Sequence, residues 1–172
     1  MPSWWNVWVS MRKVKIISCL ITMSIMILIF YFSSQNADDS AGISRGVTQR
    51  LVDFIMSFSH ASPDAKRKTV KAIHGIIRKA AHFTIYAALG MSVFISVKLL
   101  IKKKKTVVFA VATIYCMLYA VSDEIHQLSS TGRSCEIRDM LIDTAGAVTG
   151  MLFLLIAIVI IKYIINRRRS VL

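Results

Sequence analysis

Several side chains capable of acid–base chemistry or anion binding recur at helical spacing near the ends of apolar segments. Lys79, His82 and Tyr86 lie at positions i, i+3 and i+7, so a helix presents all three on one face. Asp139 and Asp143 are one helical turn apart on another segment. Histidine and buried carboxylates titrate near neutral pH, whereas lysine binds phosphate. These residues therefore indicate a polar site for proton transfer or for an anionic ligand.

A second polar group lies on the apolar segment between these two. Its members at helical spacing are Tyr115, Tyr119, Ser122 and His126. Asp123 and Glu124 are their neighbours in sequence, and the group shares a helix end if the helix continues past Ser122. No GxSxG or HExxH motif is present, and Glu124 and His126 are not an i, i+4 pair. The carboxylates and the two histidines supply oxygen and nitrogen ligands that could bind a divalent metal, but without such a motif no metal ligand is assigned and the cofactor is left unknown.

The elements that must position these groups are four long apolar segments. The chain has 172 residues, of which 55% are hydrophobic and 18% charged, a balance unlike that of an ordinary soluble domain. A bilayer core requires about 20 apolar residues per helix. The segments of that length are about 14–32, 80–101, 106–122 and 140–161. The predicted fold class is all-α, a polytopic membrane protein whose single domain, 1–172, is a four-transmembrane-helix bundle.

Small residues on the fourth segment predict how the polar groups come together. Gly146 and Gly150 form a GxxxG pair on the helix face that also carries Asp143. Such a pair permits close approach of a neighbouring helix. If this face meets the second or third segment, the approach brings Asp143 toward His82 and His126.

The distribution of charge predicts the orientation in the membrane. The net charge of +13 arises from 22 basic and nine acidic residues. Twelve of the basic residues, and no acidic residue, lie before the first segment, between the second and third, after the fourth, or at the adjoining segment ends. They include the Lys102–Lys105 run and Arg167–Arg169. Lysine and arginine mark the cytoplasmic side. Both termini are therefore predicted to be cytoplasmic, in a multi-pass protein of the bacterial cytoplasmic membrane. Basic residues that flank membrane segments also argue against a nucleic-acid partner.

The long connection 33–79 is predicted to be an amphipathic helical loop on the outer side. Apolar residues recur at helical spacing from Ile43 to Phe58, and a second helix starts near Asp64. The loop is either an interfacial helix pair on the outer leaflet or a lid over a site. The first apolar segment is predicted to be retained rather than cleaved, and either Met1 or Met11 is the start. Three scattered cysteines predict no native disulfide.

Two stretches of the chain resemble the signatures of VanZ-like membrane proteins. The first comprises Arg78-Lys79-Ala80-Ala81-His82-Phe83 followed by Tyr86, Leu89 and Gly90. The second comprises Ser122-Asp123-Glu124-Ile125-His126-Gln127 followed by Gly132-Arg133, Asp139, Asp143 and Gly146. The chain departs from the family in the hairpin, where Leu128-Ser129-Ser130-Thr131 replaces the usual aromatic residue and proline.

The resemblance implies a set of site residues and a cellular setting. The family is named for association with low-level glycopeptide (teicoplanin) resistance in bacteria, and its biochemical activity is unsettled. The residues implied as catalytic candidates are His82, His126, Asp123, Glu124 and Asp143. The residues implied as ligand-binding are Lys79, Tyr86, Gln127, Arg133 and Asp139.

Three functions are compatible with these observations. In the first, Lys79 and Arg133 hold an anionic cell-envelope component at the outer leaflet, such as an envelope lipid or a peptidoglycan precursor. In the second, the protein is a membrane-embedded enzyme that hydrolyses or transfers a phosphate- or glycan-bearing lipid, with His82 or His126 as the acid–base group. In the third, the charges are internal salt bridges in a structural membrane protein. The lipid bilayer is the one partner common to all three, and the sequence predicts no oligomeric state.

Overall fold

The described part of the chain consists almost entirely of long helices. The computed structural model describes residues 4–34, 46, 50, 54, 63–101, 103–128 and 135–169. Within them the helices are α1 (Trp4–Ser33), α2 (Pro63–Leu100), α3 (Lys105–Gln127) and α4 (Ile137–Arg169). No strand occurs among the described residues. Each of the four helices is long and apolar enough to cross a membrane. The predicted all-α fold with four spanning helices is therefore confirmed.

All four helices extend beyond the predicted apolar segments, and the extensions of α2 and α3 concern the polar groups. α2 begins at Pro63 and continues without a break to Leu100, so the second predicted loop helix and the second span are one helix. Proline suits a first helical position because that residue needs no amide donor. α3 passes Ser122 and ends at Gln127, which places the polar group of the third segment within a helix. Most of the amphipathic segment predicted between Ile43 and Phe58 lies outside the described residues.

The helices form an up-and-down bundle. Ser18 of α1 contacts Ser96 of α2, whereas Thr22, further along α1, contacts Ser92, so these helices are antiparallel. α1 and α3 run in the same direction, because Tyr119 binds Met26 and the later His126 stacks on Phe30. α2 and α4 run together in the opposite direction. The starts of α1 and α3 and the ends of α2 and α4 therefore lie at one end of the bundle.

The closest helix contact joins α2 and α4 through the glycines of the GxxxG pair. A Cβ atom added at Gly146 would overlap the backbone carbonyl of Phe83, and one at Gly150 would overlap that of Ala87. Only a residue without a side chain allows the two backbones to approach this closely. Of the two segments that the sequence left open for this face, the second and the third, the glycines meet the second.

A hydrogen-bonded group of hydroxyls joins α1 to α2 in the middle of the bundle. Thr22 Oγ1 lies 2.7 Å from Ser92 Oγ and 3.0 Å from Ser96 Oγ, and Ser18 Oγ lies 2.7 Å from Ser96 Oγ. All four side chains are buried. Hydroxyls within apolar spans need such partners because lipid supplies none. These bonds fix the register of α1 on α2.

The apolar core lies between the helices, and large apolar side chains cover the outside. Leu89, Val108 and Met151 are fully buried in the core. Outward-facing side chains such as Phe153, 67% exposed, and Ile27, 64% exposed, are of the kind that a soluble protein buries. In a bilayer these side chains face lipid, which agrees with the spanning character of the helices.

Candidate functional site

The predicted polar residues gather at one end of the bundle, called here the site end. At this end α1 and α3 finish, α4 begins, and α2 enters its apolar part. α2 supplies Lys79, His82 and Tyr86 to the site end from one face. Contacts from these side chains to α4 and α3 define its geometry. The start of α1 at Trp4 and the end of α4 at Arg169 lie toward the opposite end.

An ion pair joins α2 to α4 at the site end. Lys79 Nζ donates a hydrogen bond to Asp139 Oδ1 at 2.5 Å, and it lies 3.8 Å from Glu136 Oε2. The side chains of Lys79 and Asp139 are 30% and 20% exposed, so water screens the pair only in part. Lys79 is therefore already compensated by acidic groups, and an anionic ligand has to share it with them.

A histidine and a carboxylate meet one turn further into the bundle. His82 Nδ1 lies 3.8 Å from Asp143 Oδ1, which is beyond a hydrogen bond but close enough for an ion pair when the imidazole is protonated. The Asp143 side chain is only 1% exposed. Neither of its oxygens has a hydrogen-bond partner among the described residues. The close contact between α2 and α4 at Gly146 holds Asp143 in this position. This is the approach of Asp143 to His82 that the sequence predicts if the glycine face meets the second segment.

α3 adds a second buried carboxylate to this region. Asp123 is 3% exposed, and its Oδ2 accepts a hydrogen bond of 3.4 Å from Gln127 Nε2. Its Oδ1 has no hydrogen-bond partner within the described part of the chain. The fully buried Tyr86 lies beside both Asp123 and Asp143. Asp123, Gln127 and Tyr86 are thus brought to the site that was predicted for them.

Glu124 instead supports the connection between α3 and α4. Its Oε2 accepts a 3.0 Å hydrogen bond from the backbone amide of Glu136, and the residue is 1% exposed. The bond fixes the end of α3 against the residue that precedes α4. In this structure Glu124 positions the chain around the site, and Glu136 in turn lies near Lys79.

His126 lies apart from the His82–Asp143 pair. Its ring stacks on Phe30 of α1, with ring centroids 4.1 Å apart and an interplanar angle of 20°. The expectation that α4 would bring Asp143 toward both histidines thus holds for His82, whereas His126 faces α1. Nearby, Tyr119 Oη donates a 2.6 Å hydrogen bond to the carbonyl of Met26, a packing role that joins α3 to α1.

A small cleft opens between α2 and α4 at the site end. Its lining residues are Arg78, Lys79, His82, Asp139, Ile142 and Asp143. Arg78 is half-buried, and no ion pair to it occurs among the described residues. The cleft thus combines a guanidinium with no ion-pair partner in the described part of the chain, an ammonium shared with acidic groups, an imidazole and two carboxylates. Such a set can bind a phosphate through its cations and move a proton through His82.

Three side chains could together hold a metal ion. Ligand atoms of His82, Asp123 and Asp143 all lie within 4.8 Å of one another, one from each of three helices. The sequence assigned no metal ligands because no local spacing joins these residues. Arg133, predicted to bind a ligand, lies outside the described residues.

The structure also shows participants that the sequence did not indicate. Ser33, assigned from the sequence to the start of the outer loop, is the last residue of α1 and is fully buried. The Phe30 ring stacks against the imidazole of His126. Helix α1 therefore closes one side of the site end. The only signal for this in the sequence is the aromatic run Phe30-Tyr31-Phe32 at the end of the apolar segment.

The four spans and the buried polar site end define a class, that of multi-pass membrane proteins with an ionisable cluster between helix ends. The VanZ/LLP1 family model matches residues 18–161, which covers both signatures, the second and third spans in full and most of the first and fourth. The chain belongs to the VanZ/LLP1 family. No curated protein and no solved structure matches the chain.

Proposed function

We propose that the protein binds an anionic, phosphate-bearing component of the bacterial cell envelope in the cleft between α2 and α4. The observation that carries this proposal is the cleft itself, in which Arg78 and Lys79 stand beside each other near the membrane boundary. Guanidinium groups form paired hydrogen bonds with phosphate oxygens, and Arg78 has no carboxylate partner among the described residues. The proposed ligand is an envelope lipid or a lipid-linked peptidoglycan precursor.

The proposal places the cleft at the outer face of the cytoplasmic membrane. Its support is the charge pattern along the chain: the end opposite the cleft carries the Lys102–Lys105 run and Arg167–Arg169, with no acidic residue. Both termini are then cytoplasmic, and the cleft meets lipid head groups of the outer leaflet.

The family resemblance adds a cellular expectation. A protein that holds a peptidoglycan precursor at the outer leaflet alters the access of a glycopeptide antibiotic to its target. We therefore expect expression of the wild-type chain in a susceptible host to raise the inhibitory concentration of teicoplanin, and expect Arg78→Gln to remove that increase. An unchanged inhibitory concentration in cells that express the wild-type chain would show that it confers no resistance to teicoplanin.

Ligand binding is tested with a short-chain phosphatidic acid and the detergent-purified full chain. Arg78→Gln should weaken binding at least tenfold, because a charged hydrogen-bonding partner of phosphate is lost. The matched control is Arg168→Gln, which removes the same charge from an exposed position at the opposite end of α4. Equal affinity of wild type, Arg78→Gln and Arg168→Gln would contradict the proposed site.

A second candidate function rests on the His82–Asp143 pair. A carboxylate 3.8 Å from the imidazole can orient the ring and stabilise its protonated form. In this alternative, the protein hydrolyses or transfers the phosphate-bearing lipid, with His82 as the acid–base group. His82→Ala should then abolish release of product from bound lipid while leaving lipid affinity within a few-fold of wild type. If the wild type binds the lipid but releases no product, the enzyme function is refuted and the binding function stands.

A further inference from the structure

Two carboxylates at the site end are buried with few hydrogen-bond partners among the described residues. Asp143 is 1% exposed, and both of its oxygens lack a hydrogen bond among the described residues. Asp123 is 3% exposed, and its Oδ1 lacks one too. Native proteins satisfy nearly all such atoms, and buried charges are paired or bind metals. The Lys79 ammonium pairs with Asp139 rather than with either buried carboxylate.

The two carboxylates share their surroundings with a nitrogen ligand. His82, Asp123 and Asp143 come from α2, α3 and α4, and their ligand atoms lie within 4.8 Å of one another. Metal–ligand bonds of about 2.0–2.2 Å place two ligand atoms of one ion about 3–4 Å apart. The His82 Nδ1 to Asp143 Oδ1 distance of 3.8 Å is within this range. Asp123 supplies the third ligand atom, within 4.8 Å of the other two.

We propose that His82, Asp123 and Asp143 bind a divalent first-row transition metal ion, Zn²⁺ or Mn²⁺. One imidazole nitrogen with two carboxylate oxygens suits ions of this type, whereas Ca²⁺ and Mg²⁺ prefer oxygen ligands alone. The ion neutralises the two buried carboxylates, three of whose four oxygens accept no hydrogen bond from a described residue. Three protein ligands leave at least one coordination position for water or another oxygen ligand.

The metal ion also changes the charge of the neighbouring cleft. Its four formally charged lining residues are two cations, Arg78 and Lys79, and two carboxylates, Asp139 and Asp143. With the imidazole neutral these formal charges sum to zero, so without a metal ion the attraction of the cleft for an anion comes from Arg78 and not from a net positive charge. A bound divalent ion gives the cleft a net positive charge and an open coordination position. This consequence for anion binding rests on the proposed function, whereas the metal site itself does not.

The direct test measures metal binding by the full chain in detergent, carrying no histidine tag. After treatment with EDTA and its removal, the protein is titrated with Mn²⁺ and followed by electron paramagnetic resonance, and separately with Zn²⁺ followed by elemental analysis. We expect about one ion per chain and at least a tenfold loss of affinity in Asp143→Asn. The matched control Asp64→Asn removes an exposed carboxylate at the start of α2 and should bind as the wild type does.

Three results would overturn the metal site. They are a wild type that binds neither ion, equal affinities for wild type and Asp143→Asn, and equal losses in Asp143→Asn and Asp64→Asn. If Asp143→Asn does not accumulate in the membrane, His82→Gln and Asp123→Asn serve in its place. In addition, Zn²⁺ should raise the thermal midpoint of the wild type and leave that of a ligand variant unchanged.

The same preparations separate failure of the metal site from failure of the proposed function. Arg78→Gln retains all three ligands, so it should bind Mn²⁺ as the wild type does while losing phosphatidic acid. A protein that binds Mn²⁺ through Asp143 but shows no dependence of lipid affinity on Arg78 would retain the metal site and refute the anion cleft.

Discussion

Lys79 Nζ donates a hydrogen bond to Asp139 Oδ1 across the α2–α4 interface, one helical turn before His82 and Asp143 approach each other on the same two helices. The two contacts share a register because α2 and α4 run in the same direction with Gly146 packed against Phe83. The ion pair therefore holds together the two walls of the cleft.

Reversing this ion pair is expected to separate its structural role from ligand binding. Lys79→Asp places two carboxylates together and should lower the thermal midpoint by a few degrees, since about 1 kcal/mol corresponds to about 2–4 °C for a protein of this size. Adding Asp139→Lys should restore most of that loss.

Lipid binding measured on the same variants distinguishes two of the candidate functions. If the charges only stabilise the fold, the doubly reversed protein should match the wild type both in thermal midpoint and in affinity for phosphatidic acid. The anion cleft instead predicts that stability returns while affinity for phosphatidic acid stays reduced, because the ammonium now projects from α4.

The glycine contact between α2 and α4 should tolerate no added side chain. Gly150→Ala inserts a Cβ into the carbonyl of Ala87, so the helices must move apart at a cost of about 1–3 kcal/mol. The thermal midpoint should fall by several degrees, and Mn²⁺ affinity should fall with it because the separation displaces Asp143. Gly46→Ala is the control, since a Cβ there meets nothing within 4 Å. Equal midpoints for the two variants would contradict the packing.

The hydrogen-bonded cluster of serine and threonine hydroxyls between α1 and α2 gives a third prediction. Thr22→Val removes hydrogen bonds to Ser92 and Ser96 and leaves those buried hydroxyls fewer partners, at a cost of about 1 kcal/mol. Thermal unfolding in detergent measures this loss. Ser24→Ala is the control because the exposed Ser24 bonds only to the Leu20 carbonyl of its own helix. A loss from Ser24→Ala as large as that from Thr22→Val would show that α1 does not pack through these hydroxyls.

Orientation in the membrane can be read from a native cysteine. Cys135 is half-buried at the site end, whereas Cys116 is fully buried in the core. If the site end faces outward, a membrane-impermeant maleimide should label Cys135 in intact spheroplasts. A Cys135→Ser chain carrying Lys104→Cys, in the exposed α2–α3 connection, should be labelled only after permeabilisation. The reverse pattern would place the cleft in the cytoplasm.

Much of the fold could be predicted because its determinants are local. Spans follow from runs of apolar residues, and the Gly146–Gly150 spacing identifies the face of α4 that meets another helix. The helical spacing of Lys79 and His82 likewise correctly placed both at the site end.

The parts that could not be predicted depend on which helices are neighbours. His126 and His82 carry equal signals in the sequence, yet α1 reaches His126 through Phe30, whereas α4 reaches His82. The group of His82, Asp123 and Asp143 draws one residue from each of three helices. The two signatures contain all three residues, but their spacing along the chain does not show that their ligand atoms meet.

The central claim is that the cleft between α2 and α4 holds an anionic envelope component through Arg78 and Lys79. Native mass spectrometry of the full chain, purified from bacterial membranes in mild detergent, tests this claim directly. The comparison comprises the wild type, the double variant Arg78→Gln/Lys79→Gln, and Arg168→Gln as the charge-matched control. The wild type and the control should carry a phosphate-bearing lipid adduct whose occupancy falls at least tenfold in the double variant. Equal adducts in all three proteins, or no adduct in the wild type, would contradict the claim.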